Sequence, residues 1–122
     1  MVYYNAMPFK PNYKRPFSQF VKKAHKPLQL VISDEVELVC GNPDVGKQKV
    51  GDLAEIWVHK FKFNRQEYLL AYRPPSTEMR VKGRDVEFLL IDFYQVGSHE
   101  NFYEDLKRYL KTEGHGTEGE DK

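Results

Sequence analysis

The chain has a single cysteine, Cys40, in 122 residues, so it can form neither an intramolecular disulfide nor a CxxC metal knuckle. No segment approaches the ~20 apolar residues that a membrane-spanning helix needs. The opening MVYYNAMPFK lacks a basic segment followed by an apolar one. No secretory signal is therefore expected, and the cytoplasm is the expected location. There is no GxGxxG turn and no GxSxG elbow, and GNPDVGKQ holds a Gly-Lys pair without the spacing of a phosphate-binding loop. The histidines, His25, His59, His99 and His115, are not spaced as metal ligands. These absences predict no metal and no cofactor. Whatever chemistry the chain performs falls to ordinary side chains, or the chain only binds.

Aromatic residues, by contrast, are plentiful. Eight Phe and eight Tyr in a 40% hydrophobic composition suffice for one compact core. The length fits a single domain of common size, about 100–150 residues. Charge is unevenly placed. Residues 113–122, EGHGTEGEDK, set Glu113, Glu118, Glu120 and Asp121 against Lys122, a net of −3; with +1 for the whole chain, residues 1–112 carry +4. Glycine and acid without an apolar side chain predict a disordered acidic tail, 113–122, behind a single domain, 1–112. A mildly basic body permits a polyanionic partner without requiring one.

Hydrophobic spacing orders that body. Residues 1–12, with Pro8 and Pro11, have no clear period and can supply an edge strand. Phe17, Phe20, Val21 and Ala24 recur at i, i+3, i+4 and i+7, a helical face over 13–24, with Pro16 where a first turn tolerates it. Lys10, Lys14, Arg15, Lys22, Lys23 and Lys26 crowd this region, as on a solvated face. Leu28, Ile32, Val36 and Val39 mark a second helix, stopped by Gly41-Asn42-Pro43, with Cys40 as a small core residue. From Glu55 the period becomes two. EIWVHKFKF (55–63) alternates Trp57, His59, Phe61 and Phe63 with Ile56, Val58, Lys60 and Lys62. Asn64-Arg65-Gln66 turns the chain, and EYLLAYR (67–73) returns to close a hairpin. PPSTEMRVKGRD (74–85) is a long loop or hairpin arm with Arg80, Lys82 and Arg84. The strand VEFLLIDFYQV (86–96) and a final helix follow. The order predicts an α+β fold: two N-terminal helices packed on one face of a small antiparallel β-sheet, closed by a C-terminal helix.

Two places invite chemistry. Lys60 and Lys62 set two cations ~7 Å apart on one face of a strand, beside Leu69, Ala71 and Arg73 of the returning strand. Such a patch balances a phosphodiester and stabilises negative charge that develops in a transition state. Solvated lysines that keep the chain soluble are the bland alternative. The second place is GSHENFYEDLKRYL (97–110). Gly97 is expected to end the strand and Ser98 to cap a helix from Glu100. His99 and Tyr103 then lie one turn apart on a shared face, at the helix end that favours anions. Histidine transfers protons near neutral pH, and tyrosine donates a hydrogen bond or orients a base. A capping histidine with a half-buried tyrosine is the structural alternative. His59, on the core face with Trp57, is expected to be structural.

The runs KVGDLAEIWVHKFKFNRQEYLLAYR (49–73) and GSHENFYEDLKRYL resemble the RelE/ParE superfamily of bacterial type II toxins, and within it the RelE-like mRNA endonucleases, or mRNA interferases. The likeness spans residues 13–111. It implies the RelE-like fold, with an RNA-binding cleft on the sheet face opposite the N-terminal helices. It also implies a cognate antitoxin, together with mRNA on the ribosome and contacts to 16S rRNA. The implied activity is metal-independent cleavage of mRNA in the ribosomal A site: the ribose 2′-OH attacks the adjacent phosphate and an acid protonates the departing 5′-oxygen. Matched by position, Lys60 and Lys62 are the basic pair, His99 the general acid and Tyr103 the aromatic that stacks on or orients the base. Lys60 serves as base or phosphate ligand and Lys62 as the transition-state clamp. Arg65, Arg73, Arg80, Lys82 and Arg84 are the implied substrate contacts. One position departs from the pattern. Some members carry an arginine where this chain has Leu69, and Arg73 or Arg65 would have to replace that charge. Two other readings remain open: a ParE-like toxin of the same fold that inhibits DNA gyrase, and a non-catalytic antitoxin-binding module.

Overall fold

The computed structural model describes residues 9–75 and 89–120, the side chains of the last stretch as far as Glu113. Arg80, Lys82 and Arg84 lie outside the described residues. Strand β1, Phe9–Tyr13, leads into helix α1, Arg15–Lys23, and helix α2, Lys26–Gly41. Both helices carry a proline in the first turn, where its missing N–H leaves no hydrogen bond unmade. Lys22 and Lys23 close α1 at its negative end. A short strand β2, Lys47–Gln48, and a 3-10 turn, Gly51–Leu53, precede the hairpin of β3, Trp57–Phe63, and β4, Gln66–Arg73. Strand β5, Leu89–Ser98, and helix α3, Phe102–Glu120, complete the chain. Helix α3 runs into the acidic segment 113–122, whose composition favours disorder.

The strands form one sheet in the order β1-β5-β4-β3-β2. It is mixed rather than wholly antiparallel: β1 runs parallel to β5, and the other neighbours are antiparallel. The reason is topological. The chain leaves β1 through α1 and α2, and β5 joins that edge only after the hairpin. A crossover of this kind permits parallel pairing, whereas a tight turn does not.

Helices cover both sheet faces, not one. Phe17, Ile32, Val36 and Val39 of α1 and α2 pack on Phe61, Leu70, Tyr72, Ile91 and Phe93. On the opposite face, Phe102 and Leu106 of α3 close over Ile56, Val58, Leu69, Ala71 and Tyr94. Strand β4 explains why two layers are needed. Its run Leu69-Leu70-Ala71-Tyr72 is wholly buried, and a continuous apolar strand must be covered on both sides. Cys40 sits in the α1–α2 core as expected, its thiol pushed up to about 11 by burial and, secondarily, by Glu37.

A β-bulge interrupts the β4–β5 ladder. Phe93 stands opposite Tyr72 and Gln95 opposite Ala71, so Tyr94 is an extra residue. In consequence Phe93 and Val96, three positions apart, both join the α1–α2 core, while Tyr94 faces α3.

Candidate functional site

The site is assembled by the β3–β4 turn. Asn64 (φ 52°) and Arg65 (φ 68°) are both left-handed, as a two-residue type I′ hairpin turn requires. Gln66 therefore belongs to β4 and pairs with Phe63, which sets Glu67 opposite Lys62 and Leu69 opposite Lys60. Directly opposed residues share a face. Lys60, Lys62, Glu67 and Leu69 thus lie on the α3 side of the sheet.

Strand β5 brings the histidine. Gly97 does not end it: the strand continues to Ser98, which pairs with Tyr68. A Cβ at Gly97 would meet Phe20 at 3.7 Å and Phe102 at 3.9 Å, ordinary contacts in which the glycine breaks nothing. His99 follows at once, its Nε2 lying 2.7 Å from Glu67 Oε1. This hydrogen bond is the foremost cause that holds the Glu67 carboxyl below its ordinary value of 4.5, with Lys60 and Lys62 adding in the same direction. Glu67 is therefore an ionised acceptor at neutral pH. An acceptor needs a donor, so Nε2 carries a hydrogen and Nδ1 is the ring nitrogen outside this bond. Both side chains are open, 53% exposed for His99 and 37% for Glu67.

Three of the residues singled out in the sequence, Lys60, Lys62 and His99, thus converge, and they do so around a fourth, Glu67. A three-residue turn hides that carboxylate by placing it beside Phe63. Counting a two-residue turn from Asn64-Arg65 exposes an opposite-charge pair, Lys62 across from Glu67.

Tyr103 occupies a different place from the one its spacing suggests. Asn101 adopts a left-handed conformation (φ 60°), and α3 begins only at Phe102. The Phe102 N–H donates to the His99 carbonyl at 3.1 Å and the Asp105 N–H to the Asn101 carbonyl at 2.9 Å. Ser98 stays in the strand and does not cap, and His99 lies outside the helix, so the shared helical face does not form. Tyr103 reaches toward β2 instead. Lys49 Nζ stands 5.3 Å from its ring centroid, and the Phe102 ring meets it edge-on.

Arg73 is also elsewhere. It ends β4 six residues beyond Glu67, ~20 Å along the strand. There its guanidinium bonds Glu55 at 3.1 Å and the Tyr94 hydroxyl, and lies 3.8 Å from Asp92. Burial raises the Tyr94 phenol, an effect that Arg73 partly opposes. Arg73 thus bolts β4 to β5 and does not replace a charge at Leu69. Leu69 itself has no solvent exposure, and α3 closes the middle of the face where an open cleft is expected. What remains open is the rim formed by Lys60, Lys62, Glu67 and His99, with Arg65 exposed at the hairpin tip beside it. His59 lies on the α2 side, 2.6 Å from Glu35, a structural pair as expected.

Among the described residues no cluster of three or more His, Cys, Asp or Glu side chains is placed to hold a metal ion. No helix among them is long and apolar enough to cross a membrane. A family model described as "ParE-like toxin of type II bacterial toxin-antitoxin system" matches residues 12–107. No curated protein matches the chain, and no solved structure does.

Proposed function

The chain belongs to the ParE-like toxin family of type II toxin–antitoxin systems, within the RelE/ParE superfamily, and we propose that it acts as an endoribonuclease that cleaves mRNA in the ribosomal A site. Family membership implies a cognate antitoxin. The observation that supports the nuclease is the exposed Glu67–His99 pair between two lysines.

Cleavage by the ribose 2′-OH needs a base for that hydroxyl, an acid for the departing 5′-oxygen and positive charge on the phosphate between them. The rim holds all three. A phosphodiester seated on Lys60 and Lys62 neutralises two of the charges that keep Glu67 weakly basic, and the carboxylate regains basicity as substrate binds. Glu67 takes the 2′-OH proton while that oxygen attacks phosphorus. The P–O5′ bond breaks, and the leaving oxygen receives the Nδ1 proton of His99 in its imidazolium form. A 2′,3′-cyclic phosphate remains. When product departs, Glu67 gives its proton to solvent and His99 regains one at Nδ1, and the pair is reset. Lys62, opposite Glu67, holds the phosphate oxygens on which charge grows.

A second reading, gyrase inhibition, is favoured by the ParE-like description of the family and by the uncharged, buried Leu69. Induced expression of the wild type, His99→Ala and Glu67→Gln separates the two. The nuclease predicts growth arrest with mRNA ends in the A site, both lost in each variant. Arrest with gyrase-dependent DNA breaks that persists in His99→Ala overturns the nuclease. Absence of arrest in the wild type leaves an antitoxin-binding module without activity.

A further inference from the structure

We propose that Lys49, Lys47, Lys60 and Lys62 form a track for successive phosphates of single-stranded RNA, leading from the Glu67–His99 pair across the sheet edge to Tyr103. The ligand class rests on the nuclease reading; the track itself rests on strand register. Lys47 stands directly opposite Val58 in the β2–β3 ladder and therefore shares its face with Val58, Lys60 and Lys62. Lys49 is two residues further, and its ammonium over the Tyr103 ring shows that it opens on the same side. Adjacent same-face residues on a strand are ~7 Å apart, and the diagonal step from Lys47 to Lys60 is ~7–8 Å. The cations thus follow one another at nearly even intervals, comparable with the spacing of phosphates along an extended strand.

They carry no ion pair among the described residues, unlike Lys14 and Arg73. Lys14 pairs with Glu113 at 3.1 Å and Arg73 with Glu55 at 3.1 Å. Among the described residues, none of the four track lysines has a carboxylate within ion-pair distance, and Glu67 is engaged with His99. An incoming polyanion therefore displaces no salt bridge. Guarding a sheet edge accounts for a lysine at Lys47. It does not account for Lys60 and Lys62 on an inner strand, or for Lys49 on an aromatic ring. In the free protein Lys49 covers one face of Tyr103. A phosphate that draws the ammonium away bares this face, on which a base can stack. Since the reacting pair adjoins Lys62, the track extends to one side of the cut.

The test uses the full chain and a 2′-O-methyl oligoribonucleotide, which cannot be cut, with binding followed against salt. Each single-strand phosphate contact contributes about 0.7 to the slope of log K against log salt, so the track predicts a slope of about 2.8 for the wild type and about 1.4 for Lys47→Gln/Lys49→Gln. With cleavable RNA, the double variant should raise KM and leave kcat in place. A thermal midpoint equal to that of the wild type ensures that the fold is kept. A double variant with the wild-type slope overturns the track, as does a wild type that binds no RNA at low salt. Binding with the expected slopes but without cleavage on ribosomes upholds the track and refutes the nuclease.

Discussion

Leu69→Arg would place a guanidinium at a position without solvent exposure, beneath Phe102 and Leu106 of α3 and across the ladder from Lys60. Two losses combine. Removing the leucine forfeits about 1.5–3 kcal/mol of apolar burial, and an unpaired cation in that layer costs several kcal/mol more. Glu67, two residues along the same face, offers partial relief if the side chain bends to the rim, at the expense of its bond to His99. A net loss of about 3–5 kcal/mol follows. For a chain of this size, 1 kcal/mol moves the unfolding midpoint by about 3–5 °C, so Tm should fall by roughly 10–20 °C. The first turns of α3 should loosen first, because Leu69 lies under them while Glu113, further along the helix, is held by its ion pair with Lys14. Circular dichroism gives the midpoint, and limited proteolysis reads the protection of residues 102–113. Leu69→Met, which keeps volume and polarity, should cost under about 1.5 kcal/mol and serves as control. A loss below about 5 °C for the arginine, with α3 still protected, would refute the seating of α3 on Leu69.

Arg65→Gly relieves a left-handed residue worth about 1–2 kcal/mol at an entropic cost of about 0.5–1 kcal/mol. Tm should therefore rise by a few degrees, and a decrease contradicts the turn assignment. Tyr72→Phe removes a buried hydroxyl that donates to the Pro43 carbonyl at 2.5 Å and accepts from the Gly46 N–H at 3.0 Å. Two polar groups lose their partner, and chemical denaturation should show a loss of about 1–3 kcal/mol. Glu67 has a folded pKa below its ordinary 4.5, so its contribution to stability is present above that value and fades as pH falls through the lower, folded one. Carboxyl NMR titration should find Glu67 below 4.5 in the wild type and closer to it in His99→Ala. An unchanged value between the two proteins removes His99 as the main cause.

The helices and the hairpin could be read in the sequence because their periods of 3.6 and two are written in the side chains. Phe17, Ile32 and Val36 mark one face, and Lys60 and Lys62 alternate with Phe61 and Phe63 as expected. What escaped depends on single backbone conformations. The left-handed Asn101 delays α3 and parts His99 from Tyr103, and no spacing rule records it. The direction of β1 is set by the route of the chain over α1 and α2, not by its own residues. Glu67 was within reach, given the two-residue turn. So was the second helical layer: Leu69-Leu70-Ala71-Tyr72 has no polar face to turn toward a cleft.

The bulge at Tyr94 decides which side of the sheet the histidine serves. Side chains along a strand alternate, so one added residue reverses the parity of every residue after it. Upstream, Ile91 and Phe93 face α1 and α2; beyond the bulge it is Val96 that faces them, and His99 emerges beside Glu67. Paired without the bulge, the same sequence would turn His99 toward α1 and α2, while the carboxylate and the lysines waited on the other side; removing Tyr94 itself would only close the ladder, with Gln95 still opposite Ala71 and His99 still beside Glu67. The bulge is thus what lets a strand one residue too long for its partner still bring the histidine to the rim of this toxin.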